Sequence, residues 1–333
     1  DDNLKNILLG KKIAYIGPGT DLGGGFGFVH NDRNVEFYTD GHIVDLKVVG
    51  YEEPQLFTIR VGRRSYSFPL PIRGDTPLGG DLLSGRSVRQ IATAIDRKLL
   101  EEGQEPVFLP FVEGYESLSL EDKSKIIDHE NYDSPVSARL INEEILSGAR
   151  LDKKVLRALP VALELAEFEG AMLGRIIETI YMGNINKGLI KSLSDDIEQI
   201  KTLKEAQWPL QDIERVKGTT HYLIGGTVGT KGKMAQIIVS GAYRYLEAKF
   251  PDSKFTLLPI TKDTRYAGTL GAALFIPQHA IRDAIGGNRY LINTVNKASR
   301  SARIAVIGAS GFLGKTIFQH FNEEFDSVVG TAF

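Results

Sequence analysis

Hydrophobic positions in this chain alternate between two rhythms. A short apolar run, Ile13-Ala14-Tyr15-Ile16, is followed by Gly17, Gly19, Gly23, Gly24, Gly25 and Gly27, and apolar character resumes from Phe26 to Val29. This pattern predicts a strand, a tight glycine turn and a second strand. Val35 to Val49 alternates around Asp40-Gly41, and Tyr51 to Asp75 is strand-like and basic, which predicts a surface hairpin. Helical stripes follow. Gly79 to Leu99 places Val88, Ile91, Ala92, Ile95 and Leu99 on one face, and Leu156 to Tyr181 does the same with Leu163, Ala166, Gly170, Leu173, Ile177 and Ile180. Shorter helices are expected over Leu4 to Leu8, stopped by Gly10, and over Ser137 to Leu146. A charged helix is expected over Gly188 to Gln207. Thr219 to Val228 reads as a strand ending in glycines, Lys231 to Lys249 as a helix and Phe255 to Ile260 as a buried strand. Residues 286–301 are polar and aperiodic and read as a linker. Beyond them, strand Ile304 to Ile307, a helix carrying Leu313, Ile317, Phe318 and Phe321, and strand Val328-Val329 are expected.

Composition narrows the class. Of 333 residues, 42% are hydrophobic and 25% charged, a globular balance with room for two lobes. A net charge of −2 gives no global basic field, so nucleic acid is not an expected partner. No run is apolar enough to span a membrane. Cysteine is absent, which removes disulfides, thiol nucleophiles and cysteine zinc sites and fits a cytoplasmic setting. The acidic start at Asp1-Asp2 and the end at Phe333 both lie close to predicted strands, and the chain is expected to be a piece of a longer protein.

Candidate chemistry gathers on the glycines. Successive exposed N–H groups in a glycine turn make a concave anion site, for which phosphate is the usual guest. Positive φ and close backbone approach are what glycine would contribute there. A plain hairpin is the alternative, but two glycines would suffice for that. Gly17, Gly19, Thr20, Gly23, Gly24 and Gly25 are therefore candidate phosphate ligands, with the Thr20 hydroxyl available to a phosphate oxygen or a water on Mg²⁺ and Asp21 at the rim. A side chain at Gly24 is expected to stand where phosphate oxygens sit. Near the C-terminus, Gly308, Gly311 and Gly314 between strand and helix form a dinucleotide-type pyrophosphate motif.

The phrase GPGTDLGGG resembles the G-T-G-[IL]-G-G-G phosphate loop of bacterial glucokinases and ROK sugar kinases, with Asp21 in place of the usual glycine. Leu83-Ser84-Gly85-Arg86-Ser87-Val88 is similar to a helix start of the same proteins, and Tyr266 to Ile276 to their closing helix. The resemblance covers most of residues 1 to 276. It implies an α/β fold of the actin–hexokinase (ribonuclease H-like) ATPase class, ATP with Mg²⁺, and a sugar substrate. By the same resemblance, Asp1 is the general base, Asp40 and His42 bind sugar hydroxyls, and Gly225, Gly226 and Thr227 pass close to the adenosine, Thr227 replacing a third glycine. The phrase GASGFLG resembles extended short-chain dehydrogenases, the nucleotide-sugar epimerases and reductases, and implies NAD(P) for a complete C-terminal domain of Rossmann type.

The expected organisation is a sugar-kinase-like domain over 1–285 lacking its first lobe, a linker over 286–301 and the start of a Rossmann domain over 302–333. The expected activity is ATP-dependent phosphorylation of a hexose-type sugar, within a larger bifunctional protein. The alternative is an epimerase- or reductase-linked enzyme whose kinase-like part is a regulatory sugar- and ATP-binding module. Whether this chain turns over alone, and whether it forms a homodimer, are left open.

Overall fold

The computed structural model describes residues 7–31, 35–39, 43, 46–51, 53, 55–73, 76–119, 135–148, 152–184, 210–230 and 232–260, with the strand segments 303–306 and 327–330. The chain divides into two compact units, Asp1–Thr261 and Lys262–Phe333.

The first unit is built on a five-stranded mixed sheet. Its strands are β1 (Lys11–Pro18), β2 (Leu22–Val29), β3 (Val35–Thr39), β6 (His221–Ile224) and β7 (Thr256–Pro259), in the order β3-β2-β1-β6-β7. β1 and β2 form an antiparallel ladder from Lys11↔Val29 to Pro18↔Leu22, and β3 adds antiparallel to β2. β6 pairs parallel with β1, Ile13 opposite His221, and β7 parallel with β6. Parallel neighbours need a crossover connection. Between β6 and β7 that connection contains α6 (Gly226–Thr230) and α7 (Gly232–Lys249). The strand expected over Thr219 to Val228 is therefore shorter, because helix begins at Gly226.

Helices α1 (Gly79–Leu82) and α2 (Gly85–Glu101) share what the sequence presents as one helix. The break falls at Leu83-Ser84, where extended backbone lets the Ser84 hydroxyl cap α2 by accepting the Ser87 N–H. All five stripe residues of α2 are buried. A short helix α3 (Ala138–Leu140) runs on as a π-helical turn, Ile141–Leu146. The long helix α4 (Lys153–Met182) buries Ala166, Gly170, Leu173, Ile177 and Ile180, while Leu163 is 37% exposed and lies off the buried face, which Ala162 and Leu165 hold instead. α4 crosses α7 at Gly170 and Gly241. A β-carbon on Gly170 would come within 2.9 Å of the Ile238 carbonyl oxygen, so the crossing depends on glycine. A further helix, α5 (Leu210–Val216), precedes β6.

The basic segment expected as a surface hairpin is a hairpin, β4 (Leu56–Val61) and β5 (Arg64–Pro69), but only one face is at the surface. Phe57, Ile59, Tyr66 and Phe68 are buried, and Phe57 meets Phe168 of α4 edge-on, 4.9 Å between ring centroids. The period-two alternation of apolar residues sends that face inward.

Asp96 of α2 is fully buried and holds the following loop. Its carboxylate accepts the backbone N–H groups of Val107 (2.6 Å), Phe108 (3.0 Å) and Leu109 (2.7 Å). Burial pushes its carboxyl up to about 6 against the pull of those donors. The folded form thus holds this proton more tightly than the unfolded chain. The contribution to stability is full below pH ~4 and is lost as pH rises through about 6, roughly 3 kcal/mol in all. Between pH 4.5 and 7.5 the wild type should lose about 2 kcal/mol of stability by urea unfolding that Asp96→Asn does not lose, the part of the total that falls in that window. Identical pH dependence in the two would show that Asp96 does not titrate in this window.

In the second unit, β8 (Arg303–Val306) and β9 (Ser327–Gly330) pair in parallel, Arg303 opposite Ser327. The linker 286–301, the charged segment Gly188 to Gln207 and the segment Tyr266 to Ile276 lie outside the described residues.

Candidate functional site

The β1–β2 connection is shorter than a six-glycine turn. Only Gly19, Thr20 and Asp21 form it: the Gly19 N–H donates to the Asp21 carbonyl (2.9 Å), and Asp21 Oδ1 accepts the Leu22 N–H (3.0 Å). Gly17 belongs to β1, and Gly23, Gly24 and Gly25 belong to β2, because the ladder continues to the turn. None of these five glycines has positive φ, so the expected conformational use of glycine here is corrected. Their value lies in what they leave uncovered. Residues directly opposite in an antiparallel pair share a face. Gly23 opposite Gly17 and Gly25 opposite Tyr15 form one face; Gly24 opposite Ile16 faces the core side with Ala14, Leu22 and Phe26. A β-carbon on Gly25 would meet nothing within 4 Å, and one on Gly23 only the Gly17 carbonyl at 3.8 Å. No internal contact among the described residues requires glycine at 23 or 25.

The second glycine segment arrives at the same edge from the end of β6. The Gly225 N–H donates to the Ile16 carbonyl, 2.8 Å. Gly226 has φ +71°, and a β-carbon there would overlap the Pro18 carbonyl. Gly226 and Thr227 open α6. The two segments, read separately from the sequence, are thus in backbone contact at the C-terminal ends of β1 and β6. Tyr15 joins them. Its half-buried ring lies over Gly17 and Gly225, each of which must lack a side chain to admit it. Burial raises the phenol above its usual value, while a hydrogen bond from the Gly226 N–H pulls the other way. Sequence reading placed Tyr15 only in an apolar run and missed this role; an aromatic two positions before a glycine is the one signal that could have suggested it.

A third element closes the edge. The Gly85 N–H donates to the Gly19 carbonyl (2.6 Å) and the Arg86 N–H to the Thr20 carbonyl (3.1 Å), so the turn itself occupies the first donors of α2. Behind them, Ser87 Oγ donates to Glu169 Oε1 of α4 at 2.8 Å. Glu169 is wholly buried, and desolvation holds its carboxyl well above the usual range, against the hydrogen bonds from Ser87 and the Ser84 N–H. Charged groups lie below the turn: Asp21 pairs with Arg86 and Arg73, and Arg73 Nε donates to the wholly buried Asp81 at 2.5 Å. Arg73 came from the segment read as surface hairpin, and nothing in its local pattern announces an inward turn.

Asp1, Asp40, His42, Gly308, Gly311 and Gly314 lie outside the described residues. Among the described residues, no group of three or more His, Asp or Glu could hold a metal ion, and no helix is long and apolar enough to cross a membrane.

No family model matches this sequence, and no curated protein matches it. Solved structures show a likeness, among them three ROK proteins. One is a ROK family glucokinase from Streptomyces griseus in complex with glucose and AMPPNP: 15% identity, TM-score 0.38, covering 75% of this chain and 55% of that one. Another is the ROK hexokinase from Thermus thermophilus, at 15% identity and TM-score 0.37, covering 80% and 57%. The third is a ROK family transcriptional regulator, a homolog of the E. coli MLC protein, at 15% identity and TM-score 0.31, covering 75% and 41%. This chain therefore spans just over half the length of the first two. Likenesses at this level leave the family and the activity to be argued from the site.

Proposed function

We propose that this chain is part of an ATP-dependent kinase of a hexose-type sugar, with the nucleotide held where the β1–β2 turn meets the Gly225-Gly226 turn. One observation carries the reading. Two glycine segments far apart in sequence, each resembling a nucleotide-contacting phrase of ROK sugar kinases, lie against each other at the carboxyl ends of the neighbouring strands β1 and β6. In open α/β sheets, ligands bind outside the carboxyl ends of the strands. The two segments follow the carboxyl ends of β1 and β6, which run parallel side by side.

The residues present fit a triphosphate. On β2, Gly23 and Gly25 add no side chain to the face they share with Tyr15, and the exposed Thr20 lies in the adjoining turn. Gly225 and Gly226 border the other side, beside the Tyr15 phenol. This edge would bind and orient the phosphates, and ATP with its Mg²⁺ would supply the phosphoryl group. Asp1 would take the proton from the attacking sugar hydroxyl, and Asp40 with His42 would hold the sugar. These three assignments rest on the sequence resemblance alone. The domain limits 1–285 and 302–333 belong to the same proposal.

The test is ADP release by the full-length protein with Mg-ATP and a panel of hexoses. Sugar-dependent release is expected, and Asp1→Asn should lower turnover about 10²-fold while ATP affinity is unchanged. Full activity of that variant would end the base assignment. Absence of both ATP binding and sugar-dependent release in the wild type would end the kinase reading.

A further inference from the structure

Below the turn, two guanidinium groups are withdrawn from water. The side chains of Arg73 and Arg86 are 7% and 10% exposed. Such groups need carboxylate partners, and the two carboxylates that meet them, Asp81 and Asp21, differ in kind. Asp81 is 0% exposed. It takes Arg73 Nε on Oδ1, and its Oδ2 accepts the Leu78 N–H at 3.2 Å, so it is a fixed part of the helix start. Asp21 sits on the turn with its side chain 40% exposed. Its Oδ2 alone faces the arginines, close to Arg86 Nη2 but a long 3.5 Å from Arg73 Nη1. Arg73 Nη2 is buried and has no hydrogen-bond partner among the described residues. An unsatisfied buried guanidinium N–H calls for an explanation, an absent anion or water being the usual one.

We propose that Arg73 and Arg86 form an oxyanion site beneath the β1–β2 turn, which Asp21 occupies in the ligand-free chain and vacates for a phosphoryl group. This rests on the reading that the turn receives a phosphorylated ligand. A tetrahedral phosphoryl group offers three acceptor oxygens and about two negative charges, where Asp21 offers one oxygen and one charge. It can engage Arg86 and both Nη atoms of Arg73 together, which the Asp21 carboxylate, tethered through Oδ1 to the Leu22 N–H, does not. Asp21 is also the partner that can leave, since it faces solvent beside the exposed Thr20, at the end of the open glycine face. Asp21 is then an internal competitor that keeps the arginines neutralised when no ligand is bound and lowers the affinity for one that arrives. The residue that departs from the glycine of the ROK loop is the one with this task.

Calorimetric titration of the full-length protein with inorganic pyrophosphate at low ionic strength tests this. Asp21→Asn keeps an oxygen for the Leu22 N–H and removes the competing charge. It should bind pyrophosphate at least tenfold more tightly than the wild type, and adding Arg86→Gln should erase the gain. Equal or weaker binding by Asp21→Asn would overturn the proposal. Should that variant not fold, Arg86→Gln in the otherwise unaltered chain is expected to weaken pyrophosphate binding at least tenfold, and unchanged binding would overturn it. Mg-ATP titrated into the wild type separates the two readings. ATP binding with a pyrophosphate affinity indifferent to both substitutions removes this site and leaves the kinase. Tighter pyrophosphate binding by Asp21→Asn without any ATP binding keeps this site and removes the kinase.

Discussion

Replacing Gly226 by alanine should cost about 3–5 kcal/mol of stability, a large loss for a single methyl group. Two costs add. At φ +71° an L side chain is strained by roughly 1–2 kcal/mol. The new β-carbon would also overlap the Pro18 carbonyl, a backbone atom inside the β1–β2 ladder that cannot swing aside as a side chain would. Pro18 can retreat only by pulling the turn away from the Gly85 and Arg86 N–H groups that hold it. Against a typical total of 5–15 kcal/mol, such a loss is visible as a large drop in the urea midpoint. Gly25→Ala is the control. It has neither positive φ nor a neighbour within 4 Å of the added carbon, and should stay within about 0.5 kcal/mol of the wild type. Equal losses in the two variants would mean that the junction of the two glycine segments is not tight.

Valine at Gly23 and valine at Gly24 should fail in different ways. Gly23 lies on the uncovered face, so Gly23→Val should fold, valine being favoured in strands, and should lose ATP affinity roughly 10³-fold, about 4 kcal/mol. The isopropyl group would stand where the phosphates are proposed to lie, and two or more charge-assisted hydrogen bonds would be lost with them. Gly24 lies opposite Ile16, which is 0% exposed, on the face that packs into the core. Gly24→Val should therefore lose stability by overpacking, about 1–3 kcal/mol. This revises the expectation that Gly24 is where a side chain meets phosphate: the pleat turns it the other way. Titration with Mg-ATP beside thermal melts reads both. ATP affinity untouched in Gly23→Val would remove the open face from the binding site.

How much of this was legible beforehand depends on the range over which each feature is encoded. The stripe Val88, Ile91, Ala92, Ile95 and Leu99 predicted the buried face of α2, because 3.6-residue periodicity records which side meets apolar neighbours. Where the stripe was placed off the buried face, at Leu163 on α4, a Leu/Ala-rich helix offered more than one apolar line, and packing against α7 chose between them. In the β4–β5 hairpin the alternation of Phe57, Ile59, Tyr66 and Phe68 was present in the chain, but its arginines drew the reading to the surface.

Sequence alone determined the local parts: the strands on either side of the glycines, the long helices and the two glycine-rich phrases with their kinase-like wording. Those depend on residues a few positions apart, whose spacing is the signal. Tertiary structure alone decided that the phrases touch, that Gly17 and Gly225 make room for Tyr15, and that Gly23 and Gly24 face opposite ways. It also brought Arg73 to Asp21 across 52 positions and Glu169 to Ser87 across 82. Such pairings leave no periodic trace. A glycine needed for positive φ, one needed to admit a ring and one needed by nothing inside the chain are spelled with the same letter, and only the atoms opposite each one distinguish them.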